Sequence, residues 1–528
     1  MKTIVGYNEK RAPLAVGTGD EQQFVNELNS FYARFDTYDF SKEISDLTQT
    51  LSLSDDTGPS MNEEVVAKLF TGLKPNKASG PDNIKPRVLK ACAWELASIF
   101  LHMFKCSINE SFIPVGWKCS KIIPVPKSKC VKGNNDLRPV ALTSIVMKCL
   151  ERFVLNSLLP VCGPFLDPQQ YAYKSGRGAD DAILFFFTDN VYKHVDTPGN
   201  YVRTLFVDFS SAFNTIQPHL LIPKMLGMGV SEKLALWVLQ FLTQRSQFVA
   251  IKTEKGQTYE SSIIITNTGA PQGSVIAPVL FTLYTNDCQS TCHNVPLIKY
   301  ADDTSIQALI TSDTDLTNYM IEIGRFVTWC KDHYLQLNIK KTKEFIIDFR
   351  RKDNAHDSIV ISGETVERVN EYKYLGVVFD DQLNWYSQSK SVLTKMNQRM
   401  YFMRKLNSFH VDPTLISLFY QSCVLSIITF CLSAWGGNMR ESEKRKLNSH
   451  IKRAHKILKN TPIFLDHFID YLSHKKILKI EKDPTHPLYK QLKYSERSGR
   501  LIHLKCNRER YLNSFMPLAI RTYSKFAS

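Results

Sequence analysis

The sequence predicts a mixed α/β (α+β) protein, folded as one extended multi-lobed unit or as two to three domains. Three observations predict it. The chain has 528 residues, 43% of them apolar, which is enough to bury a large core. From Tyr201 onward, short apolar runs that read as strands alternate with runs of helical periodicity. Charge is also partitioned: residues 391–528 carry 25 Lys and Arg against 9 Asp and Glu, so the net +15 resides in the C-terminal quarter. That shift near residue 390 is the best candidate boundary. A basic lobe beside a neutral one suits a surface that follows a polyanion such as nucleic acid, the plainer alternative being a solubilising face.

The elements follow in order. Residues 1–61 are polar and mixed, with one helical stretch from Phe24 to Phe35, and read as a connector to something upstream. Val65, Val66, Leu69 and Phe70 recur at helical spacing between Asn62 and Leu73, and a Lys-rich loop broken by Gly80-Pro81 follows. Ile122–Val125 and Pro139–Leu142 read as strands around a Gly133-Asn134-Asn135 turn. Further strands are expected at Thr204–Phe209, Tyr300–Leu309 and Phe345–Phe349. Pro413 to Met439 carries no charge, but Gln421, several Ser and Thr, and Gly436-Gly437 favour a buried helical hairpin over a membrane span. The 12 Cys form no CxxC pair and no secretory leader precedes them, which points to a reducing compartment. Cys288, Cys292 and His293 lack a plausible fourth ligand and read as ordinary residues.

Candidate chemistry gathers in three places. Asp208 ends an apolar strand where the chain turns, a position that by itself more often means a turn former or helix cap. Asp302-Asp303 lies between strand-like residues and should occupy a hairpin tip. Adjacent carboxylates are costly unless a cation compensates, and Mg²⁺ suits one or two carboxylates plus substrate phosphates. Between the acids, Thr268 to Ser274 precedes a helix whose Val275, Val279, Leu280 and Leu283 share one face. Gly269 and Gly273 allow close backbone approach, Gln272 offers a donor and an acceptor, Ser274 can cap the helix, and Pro278 is tolerated in its first turn.

Asp208 with Phe213, the Gly-Ala-Pro-Gln-Gly-Ser loop at 269–274 and Tyr300-Ala-Asp-Asp303 resemble motifs A, B and C of reverse transcriptases, in the same order. Lys77-Ala-Ser-Gly-Pro-Asp-Asn-Ile84, Leu137-Arg-Pro-Val140, Leu337-Asn-Ile-Lys-Lys-Thr342 and Tyr372-Lys-Tyr-Leu-Gly376 resemble the non-LTR (LINE-type) retrotransposon enzymes in particular. The resemblance covers residues 61 to 380, with the reverse transcriptase domain itself at 107–378. Looser similarity to the C-terminal part of fish-type element polyproteins continues through Ala434-Trp-Gly436, Asp483-Pro-Thr-His-Pro487 and Ser514-Phe-Met-Pro517.

The resemblance implies a right-hand polymerase: fingers at 62–157, palm at 158–380, and a helical, basic thumb with a C-terminal extension at 381–528. It implies two Mg²⁺ held by Asp208, Asp302, Asp303 and the Phe209 carbonyl, with the three acids catalytic. It assigns Arg138, Phe213, Gln272, Gly273, Lys341 and, as a poorer candidate, Lys127 to dNTP binding, and Tyr374, Leu375 and Gly376 to the primer grip. Phe213 would be the aromatic gate against a ribose 2′-hydroxyl, and Lys341 the lysine that holds or protonates the leaving phosphate. The implied partners are an RNA template, a DNA primer, dNTPs and the RNA/DNA hybrid, with no membrane. The implied location is nuclear or cytoplasmic, not secreted; Lys444-Arg-Lys446 is too short to decide between them. Ala277 stands where relatives often have Ser, and Asn214 where they often have Asp. Neither the endonuclease usual upstream nor the Cys/His knuckle sometimes found downstream is recognised, so the chain is expected to polymerise without nicking its own target. A viral RNA polymerase or telomerase-like enzyme sharing the palm, and a non-catalytic element copy, remain the alternatives.

Overall fold

The computed structural model describes residues 20–53, 58–127, 130–253, 256–350, 356–497 and 499–526. Its centre is a five-stranded sheet in the spatial order Glu367–Arg368, Lys343–Ile347, Tyr201–Val207, Asp303–Ile310, Leu297–Tyr300. The first pair is parallel and the remaining pairs are antiparallel. Tyr201–Val207 is buried at every residue, which requires cover on both faces of the sheet.

Side chains alternate across a strand, and that period of two divides the molecule into two cores. Tyr201, Leu205 and Val207 face one core with helices Ile145–Cys162, Pro218–Gly227, Glu232–Leu242, Ala277–Tyr284 and Asp313–Asp332. Val202 and Phe206 face the other, built from the π-helical stretch Phe185–Tyr192, the hairpin Glu371–Tyr374/Val377–Asp380, and helices Tyr386–Ser408, Glu441–Leu458, Leu465–Glu481 and Phe515–Phe526. The second core therefore runs across residue 390, so the charge boundary read from the sequence is not a packing boundary. Arg203, buried at the sheet centre, donates to Glu344 on the neighbouring strand at 2.8 Å, and Arg368 on the next strand donates to the same carboxylate at 3.0 Å.

A second sheet places Ser120–Pro126 between antiparallel Leu137–Leu142 and parallel Arg245–Lys252, which also pairs with Thr258–Glu260 and Ile264–Thr266. The strands expected around residues 122–125 and 139–142 are present and longer than their apolar cores. Helix Glu21–Ala33 is more than a connector: Val25, Leu28 and Tyr32 pack on Ile122, Leu137, Val249 and Ile251. Its Asn29 side chain donates to the Ser262 carbonyl at 2.8 Å.

The uncharged run differs from its expected form. Helices Pro413–Phe419, Tyr420–Leu425 and Ser426–Thr429 run on directly, and the chain bends at Cys431, with φ of 50°, into the short helix Leu432–Trp435. By length and composition the run could cross a membrane, and 39% of its most apolar window is buried. Ile416, Phe419, Tyr420, Val424 and Ile428 enter the second core, while Leu415 and Leu418 stay more than half exposed. With no charged residue to mark an outer face, the sequence pattern could not reveal this one-sided burial.

Candidate active site

Strand register assembles the acids. Val207 pairs with Thr304, so the next residues at that end of the two central strands are Asp208 and Asp303. Tyr300 pairs with Asp303 across a two-residue turn, in which Ala301 adopts φ of 58° and Asp302 occupies the tip. A third segment closes behind them: Asn338 N–H donates to the Asp208 carbonyl at 2.8 Å, and Phe209 bridges Leu337. Asn338 also accepts from Thr342 Oγ1 through its carbonyl at 3.0 Å, and this tight turn carries Lys341 to within 3.7 Å of Asp208 Oδ2.

The electrostatics of the acids are those of an incomplete cluster. Asp302 is held above the ordinary carboxylate range, chiefly by desolvation and then by Asp208, with its own N–H and Arg138 opposing. Asp303 is pushed up to about 6 by desolvation, then by Asp302 and Asp208. Both residues keep open surface, so the desolvation comes from crowding by neighbouring protein, not from enclosure. Asp208 Oδ2 is buried without a hydrogen-bond partner. Among the described residues no three His, Cys, Asp or Glu groups converge closely enough to hold a metal ion. Like charges without a counter-ion do not close on one point. Even so, the donor set fits a divalent cation, which would take up the Asp208 oxygen that accepts no hydrogen bond and relieve the repulsion that helps raise Asp302 and Asp303.

The cations gather beside the acids. Lys127 has its pKa lowered by desolvation and then by Lys341 and Arg138, against the pull of Asp136 and Asp208, which shows that these three cations share one region. Arg138 is exposed on Leu137–Leu142. Lys127 donates to the Asn135 carbonyl at 2.6 Å and is tied to its own hairpin.

The loop between the acids is fixed at both ends. Gly269, at φ of 78°, donates to the Ile216 carbonyl at 2.7 Å, and Ala270 donates to the Phe213 carbonyl at 2.8 Å. Gln272 accepts from Ala141 N–H at 2.9 Å, and a Cβ on Gly273 would lie 2.5 Å from the Ala141 carbonyl oxygen, so only glycine fits there. The Gln272 side chain lines a small cavity beside Tyr32, Asn214 and Arg245, and its Oε1 is buried without a hydrogen-bond partner. Ser274 Oγ accepts from the N–H of Ala277, the first residue of the following helix, at 3.0 Å, although the N-cap position itself is Ile276. Phe213 sits on a 3₁₀ turn with its ring 5.1 Å from that of Phe281 on the same helix.

Tyr374, Leu375 and Gly376 form the turn of the hairpin on the second core. Tyr374 points inward against Phe186 and Phe206, so Leu375 and Gly376 are the accessible members of the trio. Tyr372 stacks on Phe206 at 4.0 Å, and its hydroxyl is pushed up to about 12 by desolvation, then by Asp303 and Asp208.

Sequence reading missed Glu151, which accepts two amides at the end of the loop, and Arg245, which donates to the Thr268 carbonyl at its start. An acid inside the apolar run Ile145–Cys162 was the available signal for Glu151. It also missed Tyr173, at φ of 58°, whose hydroxyl is raised by desolvation and then by Asp302.

A family model for the reverse transcriptase (RNA-dependent DNA polymerase) matches residues 125–379, the span that holds every one of these acids and cations. That stretch of the chain is similar to the reverse transcriptases. The chain is 24% identical to the probable RNA-directed DNA polymerase from transposon BS of Drosophila melanogaster, over 78% of this chain and 46% of that protein. It is 23% identical to the RNA-directed DNA polymerase from mobile element jockey of the same fly, over 61% of this chain and 35% of that protein. With the jockey polymerase of Drosophila funebris it shares 24% identity over 65% of this chain and 38% of that protein. The chain thus spans less than half the length of these relatives. Residues 385–426 separately match the N-terminal region of the alkylated DNA repair protein alkB homolog 8, a stretch that contains none of the site acids.

Proposed function

We propose that the chain is an RNA-directed DNA polymerase that adds dNTPs to a primer 3′ end on an RNA template. In this reading residues 62–157 are the fingers, 158–380 the palm, and 381–528 the thumb and basic extension of a right-hand polymerase. One observation carries the reading: three crowded carboxylates, one with a buried oxygen that accepts no hydrogen bond, stand beside Lys127, Arg138 and Lys341. The two groups are jointly relieved by divalent cations and a triphosphate.

Asp208, Asp302 and Asp303, with the Phe209 carbonyl, would hold two Mg²⁺. When bound, the ions supply Lewis-acid activation of the 3′-hydroxyl and charge neutralisation on the pyrophosphate. The rest is work for the chain's own side chains. Arg138 and Lys127 attract the triphosphate, and Gln272 and Gly273 form the wall it lies against. Lys341 is exposed enough to hold or protonate the departing phosphate. Phe213 is braced by Phe281, and a braced ring is what rejects a ribose 2′-hydroxyl. Leu375 and Gly376 present the turn that would support the primer, and the hybrid would be gripped through phosphates and 2′-hydroxyls.

The test is primer extension on an RNA template with Mg²⁺, comparing the chain with Asp302→Ala and dNTPs with rNTPs. Extension with dNTPs that is lost by at least about 10³-fold in Asp302→Ala is expected. A folded chain that binds an RNA/DNA hybrid but extends nothing would favour the non-catalytic alternative, and preference for rNTPs would favour an RNA polymerase.

A further inference from the structure

We infer that Glu151 is a positioning residue for nucleotide binding: from the helix Ile145–Cys162 it sets the placement of the 268–274 loop through the Val275 and Ile276 amides. The inference rests on the polymerase reading and adds a residue to it that no motif contains.

Glu151 is fully buried, on a helix whose other buried residues are apolar. Two amides converge on one oxygen: Oε2 accepts from Val275 N–H at 2.5 Å and from Ile276 N–H at 3.2 Å. Oε1 has no hydrogen-bond partner. A buried acid accepting two amides at the entry of helix Ala277–Tyr284 satisfies backbone donors that the helix itself cannot. It is pushed up to about 7 by burial, against the two amides, Ser274 and Lys148, so the protein tolerates an unfavourable environment to keep a carboxyl group there.

What that contact fixes is the distance between two parts of the nucleotide site. The loop is tied to Leu137–Leu142, which bears Arg138, by the Ala141 to Gln272 hydrogen bond. It is tied to the Phe213 turn by the Gly269 and Ala270 amides. Its start is held by Arg245, donating to the Thr268 carbonyl at 2.5 Å, and by Asp36, accepting from Asn267 N–H at 3.0 Å. Glu151 is the corresponding hold at its end. Release there would let Gln272 and Gly273 drift from Arg138 and Phe213 without touching Asp208, Asp302 or Asp303. The loss should therefore appear in dNTP affinity and leave the chemical step alone.

Two measurements test this on the full chain. Amide hydrogen exchange reads the hold itself: Val275 and Ile276 should exchange at least about tenfold faster in Glu151→Ala and at near the native rate in Glu151→Gln, whose carbonyl oxygen can replace Oε2. Steady-state primer extension reads the consequence: KM for dNTP should rise about tenfold in Glu151→Ala with kcat within about threefold, and Glu151→Gln should restore it. If Glu151→Ala does not fold, Glu151→Asp, which keeps the charge but retracts the oxygen, takes its place with the same expectations. Unchanged exchange would overturn the inference, as would faster exchange with an unchanged KM, or kcat and KM failing alike in both variants. Altered exchange in a chain whose wild type shows no Asp302-dependent extension would instead overturn the polymerase reading, and the nucleotide role with it.

Discussion

Two clusters of aspartates meet the same residue type with opposite outcomes. Asp181 is fully buried, yet it accepts Gly178 N–H at 2.9 Å, Lys476 Nζ at 2.9 Å and His486 Nε2 at 3.2 Å, with Lys479 3.7 Å away. Burial works against its charge, but His486, Lys476 and Lys479 outweigh that and hold the carboxyl far below the ordinary range. Nearby, Asp483 pairs with the Arg177 guanidinium. Asp302 and Asp303 are raised instead, because burial is joined there by other acids. The difference lies in the partners: Asp181 meets Lys476 and His486 at hydrogen-bond distance, whereas Lys341 stands 3.7 Å from Asp208 and Arg138 only partly offsets the crowding at Asp302. An acid cluster left unbalanced by its own protein is a candidate for function, and a balanced one is a clamp.

The sharpest way to break this comparison is to remove the clamp. Asp181→Ala would take the acceptor from His486 and leave Lys476 with Asp180 as its remaining carboxylate, destabilising the chain by about 1–3 kcal/mol, read as a lower urea midpoint. Because Lys476 and His486 bind the C-terminal helices to helix Ala179–Leu184, those helices should become protease-sensitive first. A neutral Asp181→Ala would refute the assignment of this cluster to stability.

The active-site cluster should respond with the opposite sign and more weakly. Asp303→Asn removes a like charge, so without divalent cations it should raise Tm by about 1–3 °C, even as extension is lost. Millimolar Mg²⁺ should raise the Tm of the wild type and leave that of Asp303→Asn nearly unchanged. A Tm that falls in Asp303→Asn, or one that ignores Mg²⁺ in both proteins, would show that the three acids are not waiting for a cation.

Much of this contrast was legible in the sequence, but unevenly. Asp208, Asp302 and Asp303 were found because each ends or interrupts an apolar strand, and period-two burial then fixes where such residues emerge. Arg138 and Lys341 were found by resemblance alone; the structure brings them to the acids through pairing between segments far apart in sequence. The clamp could not be seen, because Asp181 meets Lys476 and His486 across about 300 residues and no local pattern encodes that contact. Asp483-Pro-Thr-His-Pro487 was noticed only as a resemblance; His486 and Asp483 now give it an architectural meaning. Ala434-Trp-Gly436 and Ser514-Phe-Met-Pro517 share it, since Trp435, Phe515 and Met516 are buried in the same core. The extra packing of helix Glu21–Ala33 was missed because its polar Asn26 and Asn29 masked an interface built from side-chain amides.

The smallest expected effect separates the clusters by pH. Burial opposes the charge on Asp483, but hydrogen bonds from Arg177 and Thr485 hold its carboxyl at about 2. A carboxyl depressed in the folded state stabilises the fold above its unfolded value of about 4 and loses that contribution as pH falls through the folded one. Asp483 is partly exposed, so its share is about 1–2 kcal/mol after solvent screening. Between pH of about 4 and 2 the wild type should therefore lose more stability than Asp483→Asn, by about that amount, in parallel urea titrations. Asp303 has the opposite sign, since its raised value means that protonation favours the folded state; Asp303→Asn should be most stabilising relative to wild type above pH of about 6 and lose that advantage below it. Identical pH curves for wild type and Asp483→Asn would mean that the Arg177 pair is too well screened to matter, and the clamp would then rest on Asp181 alone.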